Sequence, residues 1–187
     1  MFRAAEQPPL HLQPVRARLI GTPADGGRPR SLYAWQYLGV TMNQRLVDAA
    51  IDQMNRRWPS GETGGAAAVC LDDGQILTSV CLDNLNGGVS LCHETGAICQ
   101  AYTLNKRVTA SVCVLREVGS SEIVVLAPCG ICQERLALWG PEVQVGVGDP
   151  GSPSGWSVRT LLEVNPYYWG AHFADGGRWP SSAQHSS

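Results

Sequence analysis

At 187 residues, 44% of them hydrophobic and 16% charged, the chain is long enough to bury one substantial core and is expected to form one domain, with or without tails. The net charge of −2 and the absence of a run of basic residues offer duplex nucleic acid little to bind, and no apolar stretch approaches the ~20 residues that span a bilayer. Since the first residues also lack the apolar segment of a secretory signal, we expect a cytoplasmic protein without duplex nucleic-acid or membrane partners.

The two ends of the chain differ in composition from its middle. Residues 1–41 hold five arginines against two acidic residues, a net +3, which leaves −5 for the remainder. This segment is rich in proline and glycine and shows no periodicity, so we predict a disordered extension, with Met42 as an alternative start of the folded unit. Residues 175–187 are predicted to form a disordered tail. The folded domain is therefore expected to span residues 42–174.

The first predicted elements are a helix and a hairpin. The segment TMNQRLVDAAIDQMNRRW places apolar residues at helical spacing, and Asn43 is its expected N-cap. Two apolar runs then flank Asp73-Gly74, which favours a tight hairpin because glycine accepts the positive φ that such turns require. The segment LDNLNGGVSL that follows is predicted to be a loop.

The second half alternates helices with strands. HETGAICQAYTLNK and GICQERLALWG are predicted helices, whereas RVTASVCVLRE, SEIVVLA and EVQVGVG are predicted strands, the first two because they are rich in β-branched residues. SVRTLLEVNPYYWGAHF is predicted to form a short helix and an aromatic terminal segment. The order α-β-β-α-β-β-α-β-α predicts a three-layer α-β-α sandwich with a five-stranded mixed sheet.

The seven cysteines are odd in number, which argues against a disulfide framework in a protein that we expect to be cytoplasmic. Cys70 and Cys113 lie inside apolar runs and are predicted to be small core residues, as is Cys99 on its helix. The pair Cys129 and Cys132 allows three interpretations: a redox dithiol, half of a structural zinc site, or two ligands of a catalytic zinc.

A second thiol favours the catalytic interpretation. Cys92 and Cys129 each stand where a predicted helix begins, and the N–H groups and dipole at that end stabilise a thiolate. With Cys132 they make three zinc ligands and leave a fourth position open, as catalytic zinc requires. Glu94, two residues after Cys92, is a carboxylate able to take a proton from water that zinc has acidified.

The combined pattern Cys-x-Glu followed by Pro-Cys-x-x-Cys resembles the cytidine deaminase superfamily, in particular its small cytidine deaminase and blasticidin-S deaminase branch. The resemblance covers roughly residues 43–173. It implies zinc ligation by Cys92, Cys129 and Cys132, and proton transfer by Glu94 while water attacks C4 of the pyrimidine and ammonia leaves. It also implies that the backbone carbonyl of Ala127 accepts a hydrogen bond from the departing amine.

The chain departs from that branch at two places. The family often has arginines after the catalytic Glu and after the last Cys, where this chain has Thr95 and Gln133. Arg135 or the helix dipoles are the expected compensation for the charge of three thiolates. His93 is expected to be a neighbour of the site rather than a ligand, because a His-x-Glu motif would need Glu at position 95.

The second departure concerns the group on the cytosine N1. The family grips the sugar with an Asn-x-Glu pair, and the matching positions here are Cys81 and Asp83. Asp83 is expected to accept a sugar hydroxyl, and a small loop shift would bring in Asn84 or Asn86. The alternative is that these are ordinary turn residues beside two glycines.

The resemblance also bears on assembly. In small cytidine deaminases, which are tetramers, a C-terminal aromatic residue closes the site of a neighbouring subunit. A homo-oligomer, tetramer or dimer, is therefore expected here. The alternative is that the aromatic residues cap their own core. The candidates are Tyr167, Tyr168, Trp169 and Phe173.

The expected function is zinc-dependent deamination of cytidine, deoxycytidine or a related small cytosine nucleoside. A cytosine antibiotic such as blasticidin S, or a modified cytidine, is the alternative substrate. A non-enzymatic zinc module is the alternative of another class, but its nearest fourth ligand, Cys99, would lie ~10 Å from Cys92 along a helix. A thioredoxin-like redox pair would leave Cys92 and Glu94 without a role.

Overall fold

The computed structural model describes residues 39–59, 62–175 and 179. The predicted extension falls mostly on residues 1–38, outside the described residues. Helix α1 spans Gly39–Arg57, so it begins before Asn43, and the prediction of Asn43 as N-cap is wrong. The remaining helices are α2 (Thr95–Thr103), α3 (Gly130–Leu136) and α4 (Leu161–Val164).

Within the described residues the sheet has six strands rather than the predicted five. They are β1 (Gly64–Leu71), β2 (Ile76–Val80), β3 (Val108–Arg116), β4 (Ile123–Leu126), β5 (Gln144–Gly148) and β6 (Trp156–Thr160). The additional strand is β6, which we predicted as part of a helix. It pairs antiparallel with β5, and α4 starts only after Thr160, whose side chain and that of Glu163 form a capping box.

The sheet is mixed, as predicted, with the order β2-β1-β3-β5-β6. The β1–β2 hairpin turns at Gly74, whose φ of 82° confirms the predicted tight turn. Strand β3 is central: it pairs antiparallel with β1 along its length, antiparallel with β4 over its second half, and parallel with β5 near its start. Because β4 leads directly into α3, this pairing fixes where α3 begins.

Helices cover both faces of the sheet, which confirms the three-layer α/β arrangement. On one face α1 buries Leu46, Val47, Ala50 and Met54 against alternate residues of β1 and β3. On the other face α2 and α3 pack on the intervening residues, with Val69 and Leu71 of β1 in the same cluster. Strand β1 is buried along its whole length because it has a helix layer on each side.

The predicted tail is described only at Asp175 and Trp179. Trp179 is 3% exposed, and its ring centroid lies 4.2 Å from that of Tyr168. The expectation of a loose tail is therefore wrong at Trp179, because burial of an indole removes a large apolar surface from water. No helix among the described residues combines the length and the apolar character that crossing a bilayer requires.

A buried arginine ties the end of α1 to β3. The Arg116 side chain is only 5% exposed, and its guanidinium donates hydrogen bonds to the side chain of Asn55 and to the carbonyls of Trp58, Pro59 and Glu62 at 2.8–3.0 Å. These neutral acceptors satisfy a charge that burial would otherwise make costly. They fix the chain that leads from α1 into β1.

We expect Arg116→Ala to lower the free energy of unfolding by about 2–4 kcal/mol, because it removes a buried guanidinium together with the four hydrogen bonds that it donates. The matched control is Arg159→Ala, which removes an exposed ion pair with Asp149 at 3.7 Å and should cost about 0.5 kcal/mol or less. Denaturant unfolding of the two variants measures the difference. Equal losses would show that the Arg116 contacts do not stabilise this junction.

Candidate active site

Three thiols from two separate chain segments converge at one point. The Sγ atoms of Cys92, Cys129 and Cys132 all lie within 4.8 Å of one another, and those of Cys92 and Cys129 are 3.3 Å apart. Cys132 is fully buried, whereas the other two reach the surface of a pocket. The structure therefore brings together the three residues that the sequence predicted as ligands.

The start of α3 positions two of these thiols. Cys129 directly precedes the helix, and its carbonyl accepts the N–H of Gln133 at 2.8 Å. The Gln133 side chain turns back and donates to the carbonyl of Pro128 at 2.8 Å, which holds the Pro-Cys turn against the helix. Gln133, which replaces a family arginine, thus has a structural contact of its own.

The Cys129 thiol is the most easily ionised of the three. Burial alone acts against its charge, but the backbone N–H groups of Cys132 and Ile131 and the thiol of Cys92 donate to it, so its pKa lies below the ordinary value. The hydrogen bond to the Cys129 sulfur raises the pKa of Cys92. Of the two sulfur atoms, that of Cys129 is therefore the better acceptor and that of Cys92 the better donor.

Cys92 and Glu94 are held just before α2 rather than inside it. The helix begins at Thr95, whose N–H donates to the Cys92 carbonyl at 3.1 Å. The helix thus begins three residues after Cys92, not at Cys92 as predicted. Ser79 of β2 fixes this turn, because its hydroxyl donates to the His93 carbonyl and accepts the N–H of Ala97 at 2.9 Å.

Glu94 is a buried carboxylate beside the thiol cluster. Its side chain is 3% exposed, and Oε2 accepts a hydrogen bond from the Cys132 thiol at 3.4 Å. Burial first, and then the charge of Glu94, raise the pKa of Cys132. A cation placed among these sulfurs would offset the concentration of negative charge, so the donor set fits a metal ion.

The separations also fit a metal ion. Tetrahedral ligation with metal–sulfur bonds of about 2.3 Å needs sulfur atoms roughly 3.8 Å apart. The observed separations of 3.3 Å to at most 4.8 Å bracket that value. Cys99 is exposed on α2, so the prediction of Cys99 as a core residue is wrong. It does not belong to the cluster, and among the described residues no fourth cysteine closes the site.

An open pocket of about 310 Å³ leads to the thiols. Of the predicted substrate-binding residues, Asp83 and Ala127 line it. Asn84 does not line it: its Oδ1 accepts the N–H of Asn86 at 3.2 Å and stabilises the loop instead. The full lining is Cys81, Asp83, Ser90, Leu91, Cys92, His93, Glu94, Cys113, Leu126, Ala127 and Cys129.

The outer part of the pocket holds a thiol next to a carboxylate. The Cys81 thiol donates to Oδ2 of Asp83 at 3.3 Å. Burial and the neighbouring Asp83 raise the pKa of Cys81 to about 11, so this thiol stays protonated at neutral pH. Asp83 is exposed and keeps one oxygen free to accept a hydrogen bond from a ligand.

Two further pocket residues carry potential metal-binding atoms. Cys113 of β3 is 5% exposed and was predicted as an ordinary core residue, yet it lines the pocket floor. His93 lines the pocket as well, and its ring packs over Gly65 of β1, where a side chain of any size would collide with it. The position of His93 beside the site agrees with the sequence-based expectation, whereas the position of Cys113 depends on the β3–β4 register, which the sequence alone did not reveal.

Arg135 lies at the contact between α2 and α3, the two helices that begin at the thiol cluster. Its Nη1 donates to Oγ1 of Thr95 at 2.7 Å. A guanidinium that bonds to the residue after Glu94 places positive charge near the cluster. The expected compensation for the missing arginines therefore has a structural basis at Arg135.

The aromatic terminal segment divides between core and surface. Tyr168 is 5% exposed and packs in the core, whereas Tyr167, Trp169 and Phe173 are 94%, 66% and 62% exposed. Glu134 of α3 fastens the segment: its two oxygens accept the Tyr168 hydroxyl at 3.0 Å and the Trp169 indole N–H at 2.9 Å. Tyr168 thus caps its own core, and the other three present apolar surface outward.

Comparison with known proteins agrees with this site. No family model matches the chain. The crystal structure of the cytidine deaminase from Bacillus anthracis matches with a TM-score of 0.64 and 43% identity, over 70% of this chain and 91% of that one. The blasticidin-S deaminase of Bacillus cereus is 25% identical over 122 residues, 63% of this chain and 84% of the relative.

A third relative matches over a shorter stretch. The cytidine deaminase of Mycobacterium tuberculosis is 36% identical over 73 residues, 38% of this chain and 50% of that protein. The fold and the thiol–carboxylate site define a hydrolytic deaminase that acts on a C–N bond. The chain belongs to the cytidine deaminase superfamily.

We expect Ser79→Ala to lower kcat about tenfold or more, because it removes the hydroxyl that fixes the turn carrying Glu94. The matched control is Thr78→Val, the neighbouring residue of β2, whose hydroxyl donates instead to Gln53 of α1 on the other face. Steady-state kinetics of both variants test the difference. A normal kcat in a folded Ser79→Ala protein would show that the turn is positioned without this hydroxyl.

Proposed function

We propose that the chain is a zinc-dependent deaminase that converts cytidine, deoxycytidine or a related cytosine nucleoside into the corresponding uracil product and ammonia. The observation that carries this proposal is the buried Glu94 carboxylate, 3.4 Å from Cys132, at the floor of an open pocket. A site that served only to hold the fold together would have no need of an acid–base group facing a substrate-sized cavity.

Cys92, Cys129 and Cys132 would hold the zinc ion. Three thiolates match the ligand preference of zinc, and three protein ligands leave one position for water or substrate. When bound, zinc would supply the acidification that makes water a nucleophile at neutral pH. Seven free thiols, four of them lining an open pocket, also suit the reducing cytoplasm that we propose as the location.

Glu94 would carry the protons of the reaction. Hydrolysis adds water to C4 of the ring and releases the amino group, so one proton must reach N3 and one must reach the departing amine. Glu94 is buried beside the cluster and shielded from bulk water, which suits a group that accepts and returns the same protons. Ala127 lies on the pocket wall, where its carbonyl would accept a hydrogen bond from the amine.

Asp83 would bind the group on N1 of the ring. Its free oxygen accepts a hydroxyl, and Cys81 takes the place where the family has an amide. The described pocket lining contains Asp83 and Glu94 but no arginine or lysine, so it offers no Arg or Lys side chain to pair with a phosphate on the substrate. We therefore propose nucleosides rather than nucleotides as substrates, with Asn84 confined to loop stabilisation.

A cytosine antibiotic resembling blasticidin S is the second candidate substrate. The similarity to the Bacillus cereus blasticidin-S deaminase favours it, since that match spans 84% of the relative. The exchange of an amide for Cys81 also favours it, because a thiol is a poor hydrogen-bond partner for a sugar.

We also propose that the protein assembles as a homo-oligomer, a tetramer or a dimer. The exposed rings of Trp169 and Phe173 have a centroid separation of 6.1 Å, and the exposed Tyr167 belongs to the same chain segment. Exposed aromatic clusters of this kind mark contact surfaces more often than free surface.

The test is ammonia release by the zinc-loaded protein from cytosine, cytidine, deoxycytidine, CMP, blasticidin S and adenosine. We expect turnover of cytidine or deoxycytidine and none of CMP. In Glu94→Gln we expect kcat to fall by about 10²–10⁴-fold, since the amide cannot carry a proton, while one zinc per chain is retained.

The matched control is Glu134→Gln, which alters a carboxylate on the outer side of α3 and should leave zinc content intact. Turnover of blasticidin S alone would move the function to the second candidate. Normal turnover in Glu94→Gln would remove Glu94 from the mechanism, and no turnover of any compound by the zinc-loaded protein would contradict the proposed substrate class.

We expect Arg135→Ala to weaken zinc retention, because its guanidinium supplies positive charge beside three thiolates. The measurement is zinc content after dialysis against increasing chelator, with Arg107→Ala as the control, since Arg107 donates to the carbonyl of Trp139 instead. Identical retention curves for the wild type and Arg135→Ala would leave the helix dipoles as the compensating charge.

A further inference from the structure

A second group of metal-binding atoms lies in the same pocket as the three thiols. A ring nitrogen of His93, a carboxylate oxygen of Glu94 and the Sγ of Cys113 all lie within 4.8 Å of one another. Glu94 and Cys113 are buried, at 3% and 5% exposure, and His93 is half-buried. All three line the pocket of about 310 Å³, so an ion can reach them from solvent.

Two structural features assemble this group. Gly65 has no side chain, and the His93 ring occupies the space above it, with the backbone carbonyl of Val114 also close to that position. Cys113 is paired with Ala67 on one side and with Leu126 on the other, which fixes it in the centre of the sheet beneath the pocket. The donors therefore come from a fixed strand and from the turn that Ser79 holds.

The charge of the pocket favours a second cation. Three thiolates and the Glu94 carboxylate carry a formal −4, and one dication leaves −2. Arg135 bonds next to this site, through Thr95, and no arginine or lysine is found in the described pocket lining. A second dication bound with loss of the Cys113 proton would leave the centre close to neutral.

We propose that His93, Glu94 and Cys113 form a second, weaker site for a borderline-soft divalent cation such as zinc or cadmium, next to the three-thiol centre. Nitrogen, carboxylate oxygen and thiolate are all zinc ligands, and tetrahedral ligation would bring them to roughly 3.4–3.6 Å from one another. From separations of at most 4.8 Å this requires side-chain shifts of about 1 Å. Paired metal ions in such proximity occur in other hydrolytic enzymes.

Occupation of the second site would stop catalysis. Its ion would bind the Glu94 oxygen that must accept and return protons, so excess metal would inhibit an enzyme that needs one ion per chain. This consequence rests on the proposed function, whereas the binding itself does not depend on which compound is deaminated.

The test is a cadmium titration of the metal-free full-length chain, following bound metal by equilibrium dialysis and thiolate–cadmium absorption in the ultraviolet. We expect two equivalents in the wild type. The second should bind more weakly and should add about one third of the absorbance of the first, because it gains one thiolate against three. Cys113→Ala and His93→Ala should each bind the first equivalent normally and the second at least about tenfold more weakly.

Two control variants separate this site from other thiols. Cys70→Ala shortens another buried cysteine of the sheet, and Cys99→Ser removes an exposed thiol; both should keep two equivalents. Excess zinc should also inhibit the wild type at lower concentration than it inhibits Cys113→Ala, each measured against its own uninhibited rate.

The two proposals fail differently in this titration. A wild-type chain that binds only one equivalent, or a second equivalent that persists unchanged in both Cys113→Ala and His93→Ala, would overturn the second site and leave the proposed function intact. A missing first equivalent would overturn the three-thiol centre of the proposed function, and with it the second site as defined here.

Discussion

The meeting of two chain segments at one point governs the active site. Cys92 and Cys129 are 37 residues apart in the chain, yet their sulfur atoms are 3.3 Å apart. This approach has two requirements. Strand β4 must pair with the second half of β3, which places the start of α3, and Ser79 of β2 must hold the turn before α2. The central strand β3 contributes no ligand to the three-thiol cluster. Its pairing with β4 nevertheless positions the residues on which the chemistry depends.

Much of the fold follows from local pattern, and the exceptions are instructive. The α1 stripe, the Asp73-Gly74 hairpin and the two helices after the cysteine motifs were predicted because periodicity and turn residues are local signals. Strand β6 was not predicted, because its apolar and polar residues alternate only weakly and lead directly into the helical segment LLEV. It forms a strand because it pairs with β5. The burial of Trp179 also depends on a distant partner, Tyr168, which composition does not disclose.

The candidate site shows the same division. The three thiols and Glu94 were predicted as site residues from the spacing of two short motifs, each of which lies at the start of a helix. The roles of His93 and Cys113 depend on contacts across strands, at Gly65 and in the β3–β4 register, which sequence spacing does not encode. Asn84 was expected in the pocket because it lies close to Asp83 in the chain, but its side chain satisfies the N–H of Asn86.

We propose that three thiolates hold one zinc ion and leave a position open for chemistry. X-ray absorption at the zinc edge, on protein loaded with one equivalent, tests it most directly. We expect three sulfur neighbours at about 2.3 Å and one oxygen or nitrogen neighbour near 2.0 Å. Four sulfur neighbours would mean a closed structural site, and fewer than three would mean that Cys92, Cys129 and Cys132 do not bind the ion together; either result would contradict the account.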